Sequence, residues 1–156
     1  KFLNQNKDSS NLDINVLINS CSEMSKRKTG AIIVLQRNNT LDFTLNESNI
    51  AQIKITPQVL ETIFFKNSPL HDGAIIIENN QIIATRVILP VSDSSDVPSR
   101  YGLRHRAALG ISEKTDSLTI VISEQTGKLV YVKNGEFIKI NSTGELKEKL
   151  IQDLNE

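Results

Sequence analysis

Asp72-Gly73-Ala74 and Arg104-His105-Arg106 hold the side chains of this chain best suited to chemistry. The first sets a carboxylate and a glycine at the head of an apolar run. The second places two guanidiniums and an imidazole at consecutive positions. An ordinary aspartate, with a pKa of about 3.9, is a weak base toward a hydroxyl unless a divalent cation makes that hydroxyl more acidic. Arginines at a helix start, where backbone N–H groups are unpaired, bind phosphate through charge-assisted hydrogen bonds worth about 1.5–3 kcal/mol each. Without an anion they oppose the helix dipole by about 0.3–1 kcal/mol. A carboxylate facing a cationic clamp suits chemistry on a polyphosphate, so a nucleotide enzyme is the leading reading.

Each cluster also has a plainer reading. Asp72-Gly73 fits an Asx turn into a strand. Arg104–Arg106 fits a solvated basic turn neutralised by Asp93, Asp96 or Glu113. His71 is either a hydrogen-bonded histidine or a single metal contact, because His105 is the one other histidine and a phosphohydrolase metal set needs more. Ser123-Glu124 ends an apolar run, where polar residues either line a crevice or simply turn the chain. Tyr101, beside the clamp, reads as a base-stacking residue or as loop packing. Cys21 and Met24 fall on an apolar helical face and read as core.

The elements that must position these groups follow from periodicity. Ile14, Leu17, Ile18, Cys21 and Met24 recur at helical spacing, with Asp8, Ser9 or Ser10 as cap and Lys26-Arg27-Lys28 closing the helix. Thr29–Leu35 and Gly73–Ile77 are glycine-led apolar strands, and Asn79-Asn80 turns the second into Gln81–Leu89. Residues 37–55 read as a long, weakly patterned polar loop with room for a short strand. Thr56-Pro57 starts a short helix burying Val59, Leu60, Ile63 and Phe64. A helix runs from Arg104 to Ser112. Leu118–Ser123, Lys128–Val132 and Phe137–Ile140 are further strands, the last two joined at Asn134-Gly135. Ser142 with Glu145 makes a capping box for a final helix. The expected fold is α/β: a mixed, mainly antiparallel sheet of about six strands flanked by helices. It is expected to fill residues 12–156 as one domain, after a polar lead-in at 1–11.

Composition narrows the classes. The 18 basic and 18 acidic residues cancel, so nothing global draws the chain to nucleic acid or an anionic membrane. The single cysteine precludes an internal disulfide or a thiolate metal cage and fits a reducing compartment. No apolar run approaches the ~20 residues of a membrane span. The start at Lys1 instead of Met leads us to expect a piece of a larger protein.

Taken together, several strings resemble the diadenylate cyclase domain: Gly30-Ala31-Ile32-Ile33-Val34, Pro69-Leu70-His71-Asp72-Gly73-Ala74, Arg104-His105-Arg106-Ala107-Ala108, Gly110-Ile111-Ser112-Glu113 and Ser123-Glu124. They stand in family order from about Leu12 to Phe137, and the compact size looks most like the membrane-anchored subclass. The resemblance implies condensation of two ATP into cyclic di-AMP with release of two pyrophosphates, dependent on Mn²⁺ or Mg²⁺. By motif, Asp72 would activate the ribose 3′-hydroxyl, with Gly73 giving backbone room and Ala74 beside it at the nucleotide. Arg104, His105 and Arg106 would hold phosphates. Leu89 would lie along the adenine, Ser123 and Glu124 near the phosphates and metal, and His71 with Asp72 at the metal. Many members carry threonine before Arg-His-Arg, where this chain has Leu103 and loses one phosphate contact. The two-fold ring product implies a homodimer with one ATP per protomer. The domain would be the cytoplasmic part of a bacterial cell-membrane protein, with room for a regulatory protein partner. A non-catalytic sensor of ATP or a cyclic dinucleotide is the alternative.

Overall fold

The computed structural model describes residues 11–46 and 48–156. Nearly all of the expected lead-in, and with it the three candidate caps Asp8, Ser9 and Ser10, lies outside them. Helix α1 (Ile14–Lys26) is capped by Asp13, whose carboxylate accepts the Val16 N–H. Strand β1 (Ala31–Leu35) follows, then a 3₁₀ turn (Asp42–Thr44), β2 (Asn49–Lys54) and α2 (Pro57–Phe64). Thr56 caps α2 on the Val59 N–H, with Pro57 opening the helix. Next come β3 (Ala74–Glu78), β4 (Gln81–Val87), α3 (Leu103–Lys114), β5 (Leu118–Ile122), β6 (Leu129–Lys133), β7 (Glu136–Lys139) and α4 (Thr143–Leu154). Ser142 accepts the Glu145 N–H, as expected for α4, while the Glu145 carboxylate accepts the Asn141 N–H, one residue upstream of the N–H that a full capping box pairs.

The sheet has seven strands, ordered β2-β4-β3-β1-β5-β6-β7, one more than expected. The added strand is β2 (Asn49–Lys54), inside the segment read as a loop with room for a short strand. It sits at the sheet edge, pairs antiparallel with β4 and keeps most of its side chains exposed. Backbone hydrogen bonding holds it, so no apolar alternation marks it. The pair β1–β3 is parallel and the other neighbours are antiparallel.

Period-two alternation sends β1 side chains to two cores. Ile33 and Leu35 pack with Leu17, Cys21 and Met24 of α1, Leu60 and Phe64 of α2 and Leu146 and Leu150 of α4. Ile32 and Val34 pack on the other face with Ala108 and Ile111 of α3, Leu41, Leu89 and Val97. Covered on both faces, β1 and β5 are buried throughout and read as unbroken apolar runs.

One polar cluster ties α4 to the sheet. Asp153, nearly buried, accepts the Tyr131 hydroxyl at 2.7 Å and the Lys133 ammonium at 2.8 Å. Burial alone would raise its carboxyl pKa; hydrogen bonds from Lys133 and Tyr131 outweigh that and hold it below 3.8.

Candidate functional site

Strands β1 and β3 begin at the sheet end where the antiparallel β4 and β5 finish. Gly30 and Gly73 therefore enter the sheet beside the exits at Leu89 and Ser123. The first turn of α3 stands over this edge. Between them lies an open cavity of about 830 Å³, within the size range of small-molecule sites. Ile32, Val87, Leu89 and Ala107 give it apolar walls. Asp72, Arg104, His105, Ser123 and Glu124 give it polar ones.

Asp72 is 73% exposed at the mouth, free to meet a ligand. His71 Nδ1 donates to the Ser68 carbonyl at 2.7 Å, because that carbonyl can only accept. The hydrogen bond fixes the tautomer and leaves Nε2 facing Asp72 Oδ1 at 3.1 Å. In the imidazolium this is an ion pair; in the neutral ring it is a lone pair beside a carboxylate. Gly73 has φ +77°, and a Cβ there would stand 2.8 Å from the Val87 carbonyl oxygen. The glycine is thus required first by the protein's own backbone, where β3 and β4 shift register and Arg86 also takes a positive φ.

Helix α3 starts at Leu103 after Gly102, which supplies no side-chain cap, and no acidic residue lies in the first turn. Its leading N–H groups are open toward an anion. Arg104 Nη1 reaches Glu124 Oε1 at 3.2 Å, and its guanidinium lies over Gly30, where a Cβ would stand 2.9 Å from Cζ. His105 is buried beneath Tyr101, with the rings stacked at 4.1 Å and 5°. Burial first, then the Arg104 and Arg100 guanidiniums, lower its pKa from the ordinary 6.5. Arg100 covers the Tyr101 ring at 4.7 Å and Phe137 meets it edge-on at 5.0 Å. Tyr101 is thereby engaged as packing against the imidazole while still lining the cavity.

Arg106 takes another course. Its Nη1 donates to the Ser94 carbonyl at 3.1 Å and, more distantly, to that of Ser92, and its own carbonyl accepts the Ser92 N–H. It holds the segment 90–94 that follows Leu89. Ser123 Oγ accepts the N–H groups of Gln125 and Thr126, which shapes the turn and leaves its hydroxyl proton free to donate.

Of the residues singled out from sequence, Asp72, Gly73, Leu89, Arg104, His105, Ser123 and Glu124 line this cavity. His71 lines an adjoining one. Ala74 is buried at the start of β3, and Arg106 lines neither. Gly30 escaped notice as a site residue. Its signal was only a glycine before an apolar strand, and nothing local says that Arg104 will lie on it. Among the described residues no three His, Cys, Asp or Glu side chains converge as a metal cage, and no helix is long and apolar enough to cross a membrane.

Comparison with known proteins adds to this geometry. Residues 18–137 match the model of the DAC family, described as DisA bacterial checkpoint controller nucleotide-binding. A diadenylate cyclase of Listeria monocytogenes is 44% identical over 135 residues, covering 86% of this chain and 50% of its own length. The chain thus spans about half of that relative. DacA from Staphylococcus aureus, solved as a double mutant, superposes with a TM-score of 0.87 at 34% identity, covering 90% of this chain and 94% of that one. A hypothetical membrane spanning protein of Bacillus cereus superposes at 0.79 with 39% identity, covering 81% of this chain and 62% of that one.

Proposed function

This chain belongs to the DisA bacterial checkpoint controller nucleotide-binding (DAC) family, and we propose that it condenses two ATP into cyclic di-AMP, releasing two pyrophosphates. The observation that carries the reading is one cavity bounded by an exposed carboxylate, Asp72, and by Arg104 at an uncapped helix start. The apolar walls at Leu89 and Ile32 suit a purine. The open N–H groups of α3, Arg104 and the Ser123 hydroxyl suit the phosphates.

In the reaction a ribose 3′-oxygen forms a bond to the α-phosphorus of the second ATP. The α–β bridging P–O bond breaks, and pyrophosphate leaves with the electron pair. Asp72 takes up the hydroxyl proton. Arg104 and the first-turn N–H groups offset charge on the transferring phosphoryl, in keeping with phosphoryl transfer being mainly positioning and electrostatics. His105, held by Tyr101, borders the same phosphates. Arg106 serves indirectly by fixing the segment behind Leu89.

Each protomer offers one Asp72, so a ring with two linkages needs two protomers face to face. Ile88, Val91 and Leu103, 64%, 47% and 71% exposed, rim the cavity and give that face an apolar edge. Leu103, standing where threonine is usual, adds to the rim.

A divalent cation, Mn²⁺ or Mg²⁺, fits the pair His71 Nε2 and Asp72 Oδ1: Nδ1 is committed to Ser68, and two protein ligands leave coordination positions for substrate phosphates. Such a cation makes the 3′-hydroxyl more acidic and offsets phosphate charge. We further propose that the parent protein is membrane-anchored, with this domain in the bacterial cytoplasm.

The test is product analysis with ATP and Mn²⁺ across protein concentration. Cyclic di-AMP should appear, with specific activity rising as protomers associate. Asp72→Asn should lower turnover by at least about 10²-fold, the low end for a proton acceptor, while ATP still binds. Tight nucleotide binding without product under either metal, with dimers present, would favour the sensor reading instead.

A further inference from the structure

A second cavity, of about 610 Å³, shares Arg104, Glu124 and Gln125 with the first. None of the rim residues Ile88, Val91 and Leu103 lines it. Its walls come from the end of α1, the end of α2 and His71. Four cations border it: Arg27, Lys28, Lys66 and Arg104. Its two acids are already engaged. Glu61 Oε1, buried and without a hydrogen bond, faces Arg27 at 3.5 Å, and Glu124 pairs with Arg104 at 3.2 Å. Among the described residues Lys28 and Lys66 have no acidic partner, so the cavity carries an excess of positive charge.

Lys28 also stands where a lysine is costly. Its φ is +54°, directly after the C-cap of α1, and its N–H donates to the Ser25 carbonyl. Glycine or asparagine is the low-strain choice at such a position. A long cationic side chain held there against backbone preference is consistent with use of its charge.

The chemistry of the proposed reaction says where that charge is needed. In-line displacement sends the leaving pyrophosphate from the α-phosphorus on the side opposite the incoming 3′-oxygen. The incoming oxygen arrives with the second protomer, across the apolar rim. The β,γ-diphosphate must therefore extend away from that rim, past Arg104. We propose that the second cavity is the subsite for the β,γ-diphosphate of ATP and the exit for pyrophosphate, with Lys28 and Lys66 as its cations. This rests on the diadenylate cyclase reading and adds residues that neither motif contains.

Cyclic di-AMP has no β- or γ-phosphate, which supplies the test. Calorimetry would compare the chain with its Lys28→Gln/Lys66→Gln variant, using 3′-deoxy-ATP, which lacks the reacting hydroxyl, and cyclic di-AMP. The variant should bind 3′-deoxy-ATP about ten-fold more weakly, as expected for two partly solvated charge-assisted contacts. It should bind cyclic di-AMP within about two-fold of the parent, which also shows that it is folded. Inorganic pyrophosphate should compete with 3′-deoxy-ATP on the parent and lose that competition on the variant. Lys28→Arg/Lys66→Arg should retain the parent's behaviour. Unchanged 3′-deoxy-ATP affinity, or equal losses for both nucleotides, overturns the subsite alone. A parent chain that binds neither nucleotide overturns the cyclase reading, and the subsite with it.

Discussion

Gly30→Ala separates the geometry of the clamp from the stability of the fold. The new Cβ would stand 2.9 Å from Arg104 Cζ, 3.1 Å from Nη1 and 3.0 Å from Glu124 Cβ. Carbon atoms rest at about 3.5–4.0 Å, so the guanidinium must withdraw by roughly 0.6 Å or more. It is the far end of a flexible side chain, and the 3.2 Å pair with Glu124 stretches with it. Gly30 is not among the glycines with positive φ, so alanine meets no backbone strain. Alanine also lowers the entropy of the unfolded chain, worth about 0.4–1 kcal/mol, which offsets part of the crowding. The stability change should stay within about 1 kcal/mol, or some 2–4 °C in Tm. Turnover should suffer far more, because a displacement approaching 1 Å in a positioning group costs up to about 10²-fold. We expect a 10- to 100-fold loss of kcat/KM for cyclic di-AMP formation, read by chromatography beside thermal unfolding. Parental turnover in a folded Gly30→Ala protein would refute the role given to Arg104. A Tm fall beyond about 8 °C would refute the claim that withdrawal of the Arg104 guanidinium, with a shift of a few tenths of an ångström at Glu124 Cβ, absorbs the change.

Asp153→Asn should destabilise the fold by about 2 kcal/mol, since it removes the charge that Lys133 and Tyr131 both address in a nearly buried setting. Because the native carboxyl pKa lies below the ordinary 3.8, its contribution is full above that value and fades as pH falls below it. Acid unfolding of the Asn variant should be correspondingly flatter there, as measured by circular dichroism. His105 acts in the opposite part of the scale. Its native pKa is lowered, so the unfolded chain binds the proton more readily, and stability should fall as pH drops through about 6.5. His105→Gln should remove that component; an unchanged slope between pH 7 and 5.5 would contradict it.

Sequence revealed the cores because β1, β3 and β5 are apolar runs bounded by glycine or turn residues, and α1, α2 and α4 show clear helical spacing. It allowed a short strand in residues 37–55 but could not place β2, for a physical reason. Asn49–Lys54 is an edge strand whose register with β4 shifts midway and whose side chains mostly face solvent, so burial leaves no mark on it. The cap of α1 was misplaced for a related reason: several polar residues precede the apolar stripe, and only backbone geometry selects Asp13 among them. In the site, residue types showed what Asp72 and Arg104 can do, but not which partners they meet. The Ser68 carbonyl on His71, Tyr101 on His105 and Gly30 under Arg104 are contacts made by tertiary packing or a local turn.

Arg104-His105-Arg106 illustrates the gap between adjacency and convergence. Successive residues of a helix project about 100° apart, so three side chains in a row take separate courses even where two of them, Arg104 and His105, border one cavity. The structure sends Arg104 toward Gly30 and Glu124, His105 beneath Tyr101, and Arg106 back to the carbonyls of Ser92 and Ser94. An anion in the cavity is therefore met by one guanidinium together with the unpaired N–H groups of the same helix start, which point along the axis and do not fan out. Arg106 contributes at one remove, by fixing the chain that carries Leu89 into the wall and Val91 onto the rim. The triplet is contiguous because a single helical turn must face the phosphates, the aromatic stack and the loop together. Replacing either arginine would thus disturb a different boundary of the same cavity.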